Sequence, residues 1–335
     1  MITIKDLAEL SGYSLGTVSR VLNDQPHVSD KAREKIMAIV KEHDFSLNTN
    51  ARSLKQTHTN NILVIVRGTH NELFAALVER LQTVATGGEY RLVVDYIGEE
   101  DDEVRRAVQR VREVKPRGIL FLGGSSADFT ASFGNIEIPA VLVTNSAAKL
   151  GFANLSSVTT DDTAAAADAI AYLAEMGHTA IGVIGGEREN SDTGSLRYAG
   201  VLRALSERGL GFDADRCYKV ARYSFADGYA AMTALLHDMP EVTAVFAMAD
   251  VMAIGAARAI ADAGKRIPED ISLIGFDGLP ICRYYEPRLS TVIQPASFMA
   301  EKSYSVLLRA IEYGAPAQHI LAPYTLEKTD SVRRA

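Results

Sequence analysis

Residues 4–23 read IKDLAELSGYSLGTVSRVLN, and this stretch decides the fold of the N-terminus. Ile4, Leu7, Ala8 and Leu10 recur at helical spacing, so a first short helix is predicted. Thr3 stands as its cap, with Asp6 three residues on, in the manner of a capping box. Gly12 falls where the helix must stop, because glycine enters the left-handed region without a Cβ clash. Ser14 then caps a second helix starting at Leu15, whose buried side is Val18, Val21 and Leu22. Ala8, Gly12 and Val18 supply a small crossing residue, a turn glycine and an apolar residue facing into the angle. Two helices at an angle, a helix-turn-helix, require those three. The second helix leaves Leu15, Gly16, Thr17, Ser19, Arg20 and Asn23 outward, several with groups that can reach base edges in a major groove. An ordinary helical hairpin in a larger core fits the same window.

The rest of the chain settles which reading holds. At 335 residues there is room for two or three domains. No apolar run of about 18 residues is present to span a membrane, and MITIKDLAEL lacks the basic and apolar regions of a signal peptide. The two cysteines, Cys217 and Cys282, form neither a metal spacing nor a disulfide framework, which favours a reducing cytoplasm. The net charge of −7 at first argues against nucleic acid. Yet residues 1–60 carry eight Lys/Arg against seven Asp/Glu, so the acidity belongs to the remainder. A near-neutral headpiece binds DNA weakly alone, since phosphate neutralisation supplies much of the affinity. Binding by a dimer is expected.

After a polar loop, Ser29 caps a third helix through about residue 44, with Ala32, Ile36, Ile39 and Val40 inward. Residues 45–60 are polar, and 48–55 can form two helical turns that are marginal without a partner. From Asn61 onward, apolar strands such as NILVIVR, RLVVDYI, GILFLGG and PAVLVT alternate with helices, as buried parallel strands do. After Val158 the alternation restarts, with AIGVIGG, CYKVAR, TAVFAMA and ISLIGFDG. The predicted fold is an α/β core of two similar doubly wound lobes behind an all-α helix-turn-helix headpiece. Ligands of such sheets bind beyond the strand ends, here between the lobes. The expected division is a headpiece at 1–46, a linker or hinge helix at 47–59 and a core at 60–335. The N-lobe takes about 60–159 and 292–320, and the C-lobe about 160–291 and 321–335. Crossings between the lobes are expected near 158–162, 290–295 and 318–326.

With these segments in view, the chain resembles the lactose/galactose repressor family of bacterial transcription regulators over essentially its whole length. The carriers are TIKDLAELSGYSLGTVSRVLN, HVSDKAREKI, NTNARSLK, GH–AIGVIGG, SLRYAG, PED–ISLIGFDG and LSTVIQP, in this order. The resemblance implies a cytoplasmic dimer or tetramer, a core like the periplasmic sugar-binding proteins, a pseudo-palindromic operator and a small effector in the cleft. The C-terminus LEKTDSVRRA adds no leucine heptads, so a homodimer is the expectation.

By resemblance, Ser14, Leu15, Gly16, Thr17, Ser19, Arg20 and Asn23 face the operator half-site, with His27 near the following loop. Thr3 and Asn23 suit phosphate anchoring. Arg20 is the strongest base reader, because a guanidinium can bond guanine O6 and N7 together; a phosphate contact is its alternative. Leu15 and Gly16 cannot hydrogen-bond through their side chains, so weak direct readout is expected beneath them. In the hinge, Asn48 is a cap, Leu54 resembles a minor-groove wedge with Ala51 beside it, and Lys55 lies near phosphate.

For the effector, the resemblance points to Asp277 in GFDG, Arg197 in SLRYAG and Tyr223, with Phe74 and Asp250 as lining groups. Asp277 and Arg197 could instead simply pair, and the two aromatics could be core. Three departures from the family pattern, Ala249, Thr144 and Leu122, remove hydroxyl partners. Arg67 ends the first core strand near the expected cleft mouth. Two arginines and few carboxylates favour an acidic sugar or sugar phosphate over a neutral disaccharide.

Within regulation, the alternative is a corepressor-dependent or protein-assisted member of the purine-sensing or global carbon-control type. A transport binding protein is disfavoured by the headpiece and the missing signal peptide. An enzyme is disfavoured because no nucleophile–base set, phosphate loop or metal spacing is found, and no cofactor or metal is expected.

Overall fold

The computed structural model describes residues 2–22, 26, 28–43, 45, 59–68, 71–188 and 192–335. Asn23, His27, Asn48, Ala51, Leu54 and Lys55 lie outside the described residues. The chain divides into two compact units, Met1–Thr59 and Asn60–Ala335.

In the first unit, α1 (Ile4–Ser11), α2 (Leu15–Leu22) and α3 (Asp30–Glu42) pack around Leu7, Val18, Val21 and Ile36. The capping box on α1 is complete: Thr3 accepts from the Asp6 amide, and the Asp6 carboxylate accepts from the Thr3 amide at 2.7 Å. Gly12 closes α1 at φ 71°, its N–H donating to the Ala8 carbonyl. Ser14 accepts from the Thr17 amide at 3.2 Å, and Ser29 accepts from the Ala32 amide at 3.4 Å. Leu10, expected on the inner stripe, is instead 51% exposed. Four residues after Leu7 comes Ser11, and it is Ser11 that turns inward, its hydroxyl donating to Ala8 at 3.3 Å.

Gly16 sits in the first turn of α2, and a Cβ added there would meet only the Ser14 hydroxyl, at 3.8 Å. Gly16→Ala is therefore expected to stabilise the headpiece by up to about 1 kcal/mol, through helix propensity. Slower amide exchange across α2 in the intact chain checks this, and faster exchange would contradict it.

The second unit holds two six-stranded sheets. The first contains β1 (Asn61–Arg67), β2 (Arg91–Ile97), β3 (Gly118–Leu122), β4 (Ala140–Val143), β5 (Leu155–Thr160) and a later strand. Between them lie α4 (Glu72–Ala85), α5 (Glu103–Val114) and α6 (Ser126–Ser132). The second sheet contains β6 (Ile181–Gly185), β7 (Tyr218–Val220), β8 (Ala244–Ala247), β9 (Ser272–Asp277) and β10 (Ser290–Ile293). Its helices are α7 (Asp162–Glu175), α8 (Asp192–Glu207), α9 (Ala214–Cys217), α10 (Phe225–Asp238) and α11 (Asp250–Asp262). After α12 (Ala296–Tyr313), β11 (His319–Ala322) returns to the first sheet and β12 (Thr325–Glu327) to the second. The orders are β11-β5-β4-β3-β1-β2 and β12-β10-β9-β8-β6-β7. All pairings are parallel except β10 with β12. Strands such as β3 and β6 are buried throughout, which explains their unbroken apolar text.

The chain crosses between the sheets after β5, after β10 and between β11 and β12. β10 pairs with β9 and so belongs to the C-lobe sheet before the chain leaves that lobe. The N-lobe's second stretch therefore begins after Ile293 rather than at 292, and the last crossing falls at 322–325. Strand order reverses between β1 and β3 in one lobe and between β6 and β8 in the other. Those switch points are where open α/β sheets leave a crevice.

Candidate functional site

A cavity of about 640 Å³ opens between the lobes. Its walls come from the carboxyl ends of strands: Arg67 on β1, Gly123 after β3, Asn145 after β4, Gly186 after β6, Asp277 on β9 and Gln294 after β10. Both switch points thus face one space.

Arg197 is organised from four directions. Its Nε donates to Asp162 Oδ1 at 2.7 Å, and its Nη1 donates to the Met248 carbonyl. Nη2 stands 4.0 Å from Asp277 Oδ1, and the guanidinium lies 3.6 Å from the centre of the Phe276 ring. Arginine and Asp162 are both almost wholly buried, 4% and 3% exposed. Burial pushes the Asp162 carboxyl above the ordinary carboxylate range, and Arg197 opposes that rise.

Asp277 has φ 118°, a left-handed conformation that costs a non-glycine residue about 1–3 kcal/mol. The turn is held from outside. The Gln294 amide N–H donates to the Asp277 carbonyl at 3.0 Å, and Gln294 Nε2 donates to its carboxylate at 2.9 Å. Gln294 Oε1 accepts from the Thr160 hydroxyl at 3.1 Å, so two of the lobe crossings meet beside this carboxylate. Burial raises the Asp277 carboxyl, while Arg197 and Gln294 pull it back.

Asp250 does not line the cavity, which corrects the expectation of a lining group. It is fully buried below the turn. Its carboxylate accepts from the Leu279 amide at 2.7 Å and from the Thr291 hydroxyl at 2.6 Å. Gly275 is required opposite, since a Cβ there would collide with Asp250 Oδ1. Burial, then the nearby Asp277, raise the Asp250 carboxyl. The residue secures the segment after Asp277 rather than a ligand. Leu122 and Ala249 are fully buried and outside the lining, so neither offers or withholds a group there. Thr144 does line it, at φ 78°.

Arg67 also differs from its expected use. Its Nε donates to the Glu99 carbonyl at 2.8 Å and its Nη1 to Glu103 at 3.2 Å. Glu103 has no exposed surface and also accepts from the Ser125 amide at 2.6 Å. Arg222, a third lining arginine, lies 3.6 Å from Glu100 across the cleft. Each arginine of the lining therefore already has a carboxylate beside it. Glu99, Glu187, Asp192 and Asp277 remain as further acidic lining groups. This arrangement counts against an anionic occupant, in contrast to the acidic or phosphorylated sugar expected from the sequence. That expectation takes the arginines as free, whereas Arg67 and Arg197 are paired with the buried Glu103 and Asp162, which are distant in sequence.

Phe74 and Tyr223 both line the cavity, Phe74 from α4 and Tyr223 from the segment after β7. Asn71, Asn145, Asp192, Thr193 and Gln294 were missed by sequence reasoning. The signal was available for two of the five: Asn145 and Gln294 each stand within two residues of a strand's carboxyl end, the place where such folds bind.

In the other unit, Ser14 before α2 and Leu15, Gly16 and Arg20 on it are exposed, with Thr17 and Ser19 half-buried. Leu15 is 46% exposed, so its side chain is open to solvent on the outer side of α2. The Ser14 and Thr17 hydroxyls lie 2.9 Å apart, so they already engage each other.

Residues 3–48 match the bacterial regulatory proteins of the lacI family, and residues 170–332 match the periplasmic binding protein-like domain. The HTH-type transcriptional regulator MalR of Clostridium butyricum is 34% identical over 98% of this chain and 99% of its own length. The chain belongs to the lacI family. It is a DNA-binding transcriptional regulator, as that family's members are. Among solved structures, the Lac repressor dimer bound to operator and an anti-inducer superposes with a TM-score of 0.79 at 25% identity, covering 99% of each chain. The transcriptional regulator CelR in complex with cellobiose gives 0.73 at 25% identity, covering 99% of this chain and 100% of its own. No helix among the described residues of this lacI-family chain is long and apolar enough to cross a membrane.

Proposed function

We propose that the chain is a cytoplasmic, homodimeric repressor whose affinity for a pseudo-palindromic operator is set by a neutral sugar held between the core lobes. The observation that carries the sugar class is the pairing of every lining arginine with a carboxylate. What remains on the wall are acceptors for hydroxyls, Asp277, Asp192 and Asn145 among them, and the aromatic side chains of Phe74 and Tyr223. Oriented polar groups beside an apolar face suit a sugar ring, which offers hydroxyls at its rim and C–H bonds on its faces. Asp277 and Arg197 are the proposed orienting pair. The likeness to a cellobiose-bound regulator supports the same class. No hydrolytic role is assigned to the cleft, and the sugar is expected to be recovered unchanged.

A panel of neutral saccharides, uronic acids and sugar phosphates tests this by thermal unfolding. At about 100-fold excess over its Kd a true effector adds about 2.7 kcal/mol. A rise in Tm with neutral members alone is expected, and a rise confined to the anionic members would overturn the proposal.

On the DNA side, Ser14, Leu15, Gly16, Thr17, Ser19 and Arg20 are the proposed half-site contacts, with Thr3 at phosphate. Arg20→Ala is expected to weaken operator binding by about 1–3 kcal/mol, the worth of a bidentate guanine contact, and to relax discrimination at one base pair. Titration against operators substituted at each position checks this. A loss spread evenly over all positions would mean a phosphate contact instead.

A further inference from the structure

The cavity wall contains bonds that join the two lobes directly, and they centre on Asp192. Asp192 opens α8 in the C-lobe. Its Oδ2 accepts from the backbone N–H of Ser126 at 2.6 Å and from the Ser126 hydroxyl at 2.7 Å. Ser126 opens α6 in the N-lobe. Next to it, the Thr193 hydroxyl lies 3.4 Å from Asn145 Oδ1, and Asn145 Nδ2 donates to the Gly124 carbonyl at 2.7 Å. On the N-lobe side the same loop is pinned from behind, because the Ser125 amide donates to the buried Glu103. Two adjacent C-lobe residues thus grip two N-lobe loops.

Asp192, Thr193, Asn145 and Gly124 line the cavity, whereas Ser126 does not. Asp192 Oδ2 is committed to Ser126, and its second oxygen can accept from a hydroxyl in the cavity. The carboxylate is therefore shared between closing the lobes and holding an occupant.

We propose that Ser126 is a positioning residue for effector recognition, acting through Asp192 as a clasp that biases the core toward its closed form. The proposal rests on the neutral-sugar reading for the identity of the occupant, but the clasp itself does not. A hydrogen bond to a charged acceptor is stronger than a neutral one, so loss of the clasp shifts the balance toward an open cleft. A ligand that needs the closed form then binds more weakly in proportion to the lost population. The bias reaches a residue that the ligand never touches.

The test uses the full-length protein in two arms. In the first, amide exchange of the 123–127 segment is followed without any sugar. Asp192→Asn, which keeps the size but loses the charge, is expected to speed exchange there about tenfold and to leave β6 and β9 unchanged. In the second, calorimetry with the sugar found in the saccharide panel reads affinity. Ser126→Ala is expected to raise Kd about tenfold, and Ser126→Thr, which keeps the hydroxyl, to restore most of it. The Ser126→Ala, Asp192→Asn double variant is expected to be no worse than the worse single variant, since both remove one interaction. Unchanged exchange and unchanged Kd would overturn the clasp. So would weaker sugar binding in Asp192→Asn with normal exchange, which would make Asp192 a ligand contact only, or single effects that multiply. If no sugar binds, the neutral-sugar reading fails while the exchange arm still decides the clasp.

Discussion

Arg197→Leu is expected to lower the stability of the core by about 3–5 kcal/mol, the cost of leaving a buried charge without its partner, and to abolish the effector response. The guanidinium ties α7 through Asp162, the end of β8 through Met248 and β9 through Phe276. Leucine replaces none of these. The deficit must also depend on pH in a defined sense. Burial already raises the Asp162 carboxyl, and losing Arg197 raises it further. A carboxyl whose folded pKa lies above its unfolded value keeps its proton longer in the native state. Its contribution is complete below the unfolded value, about 4, and is lost as pH rises through the folded value. The variant should therefore be nearest to wild type at pH 5 and furthest at pH 8, as read by denaturant midpoints. Asp162→Leu in the same chain should recover most of the stability but not the effector response. A deficit independent of pH would contradict the role given to Asp162.

Asp250→Ala is expected to cost about 2–6 kcal/mol, because two buried donors, the Leu279 amide and the Thr291 hydroxyl, each lose their acceptor at about 1–3 kcal/mol. It should also weaken effector binding from outside the cavity. The segment it holds begins next to Asp277, whose φ of 118° persists only while the surroundings enforce it. Asp250→Asn is the informative control. Its oxygen can accept from Leu279, and its amide N–H can donate to the Thr291 hydroxyl, so both positions stay bonded. Burial raises the carboxyls of Asp250 and Asp277 in the folded chain. By the same sign as above, wild type loses stability as pH climbs from about 4 toward neutrality. The asparagine variant lacks that charge, so its stability relative to wild type should increase with pH. A relative stability that decreased with pH would show that Asp250 is favoured as an anion, contrary to its burial.

Much of this architecture was legible from the chain. Thr3 with Asp6, Gly12, Ser14 and Ser29 act at helix ends through groups only one to four residues away, so local text suffices for them. The strands were equally plain, because burial on both faces leaves no room for polar residues in segments such as Gly118–Leu122. Leu10 failed because an eight-residue helix has one narrow inner face, and Ser11 occupies its edge. The site was legible in its members but not in their state. Asp277, Arg197, Phe74, Tyr223 and Arg67 do converge on the cavity, while Asp250 stands beneath it.

The sequence by itself determined the elements, the two-lobed alternation and the headpiece, since periodicity and caps are properties of neighbours along the chain. Only the tertiary structure decided the chemistry of the cleft. Arg67 meets Glu103 across 36 positions, Arg197 meets Asp162 across 35, and Asp192 meets Ser126 across 66. Whether an arginine is free or neutralised, and whether a carboxylate holds a ligand or the opposite lobe, depends on such pairs. Coulomb and hydrogen-bond energies follow distance in space, and separation along the chain does not report it.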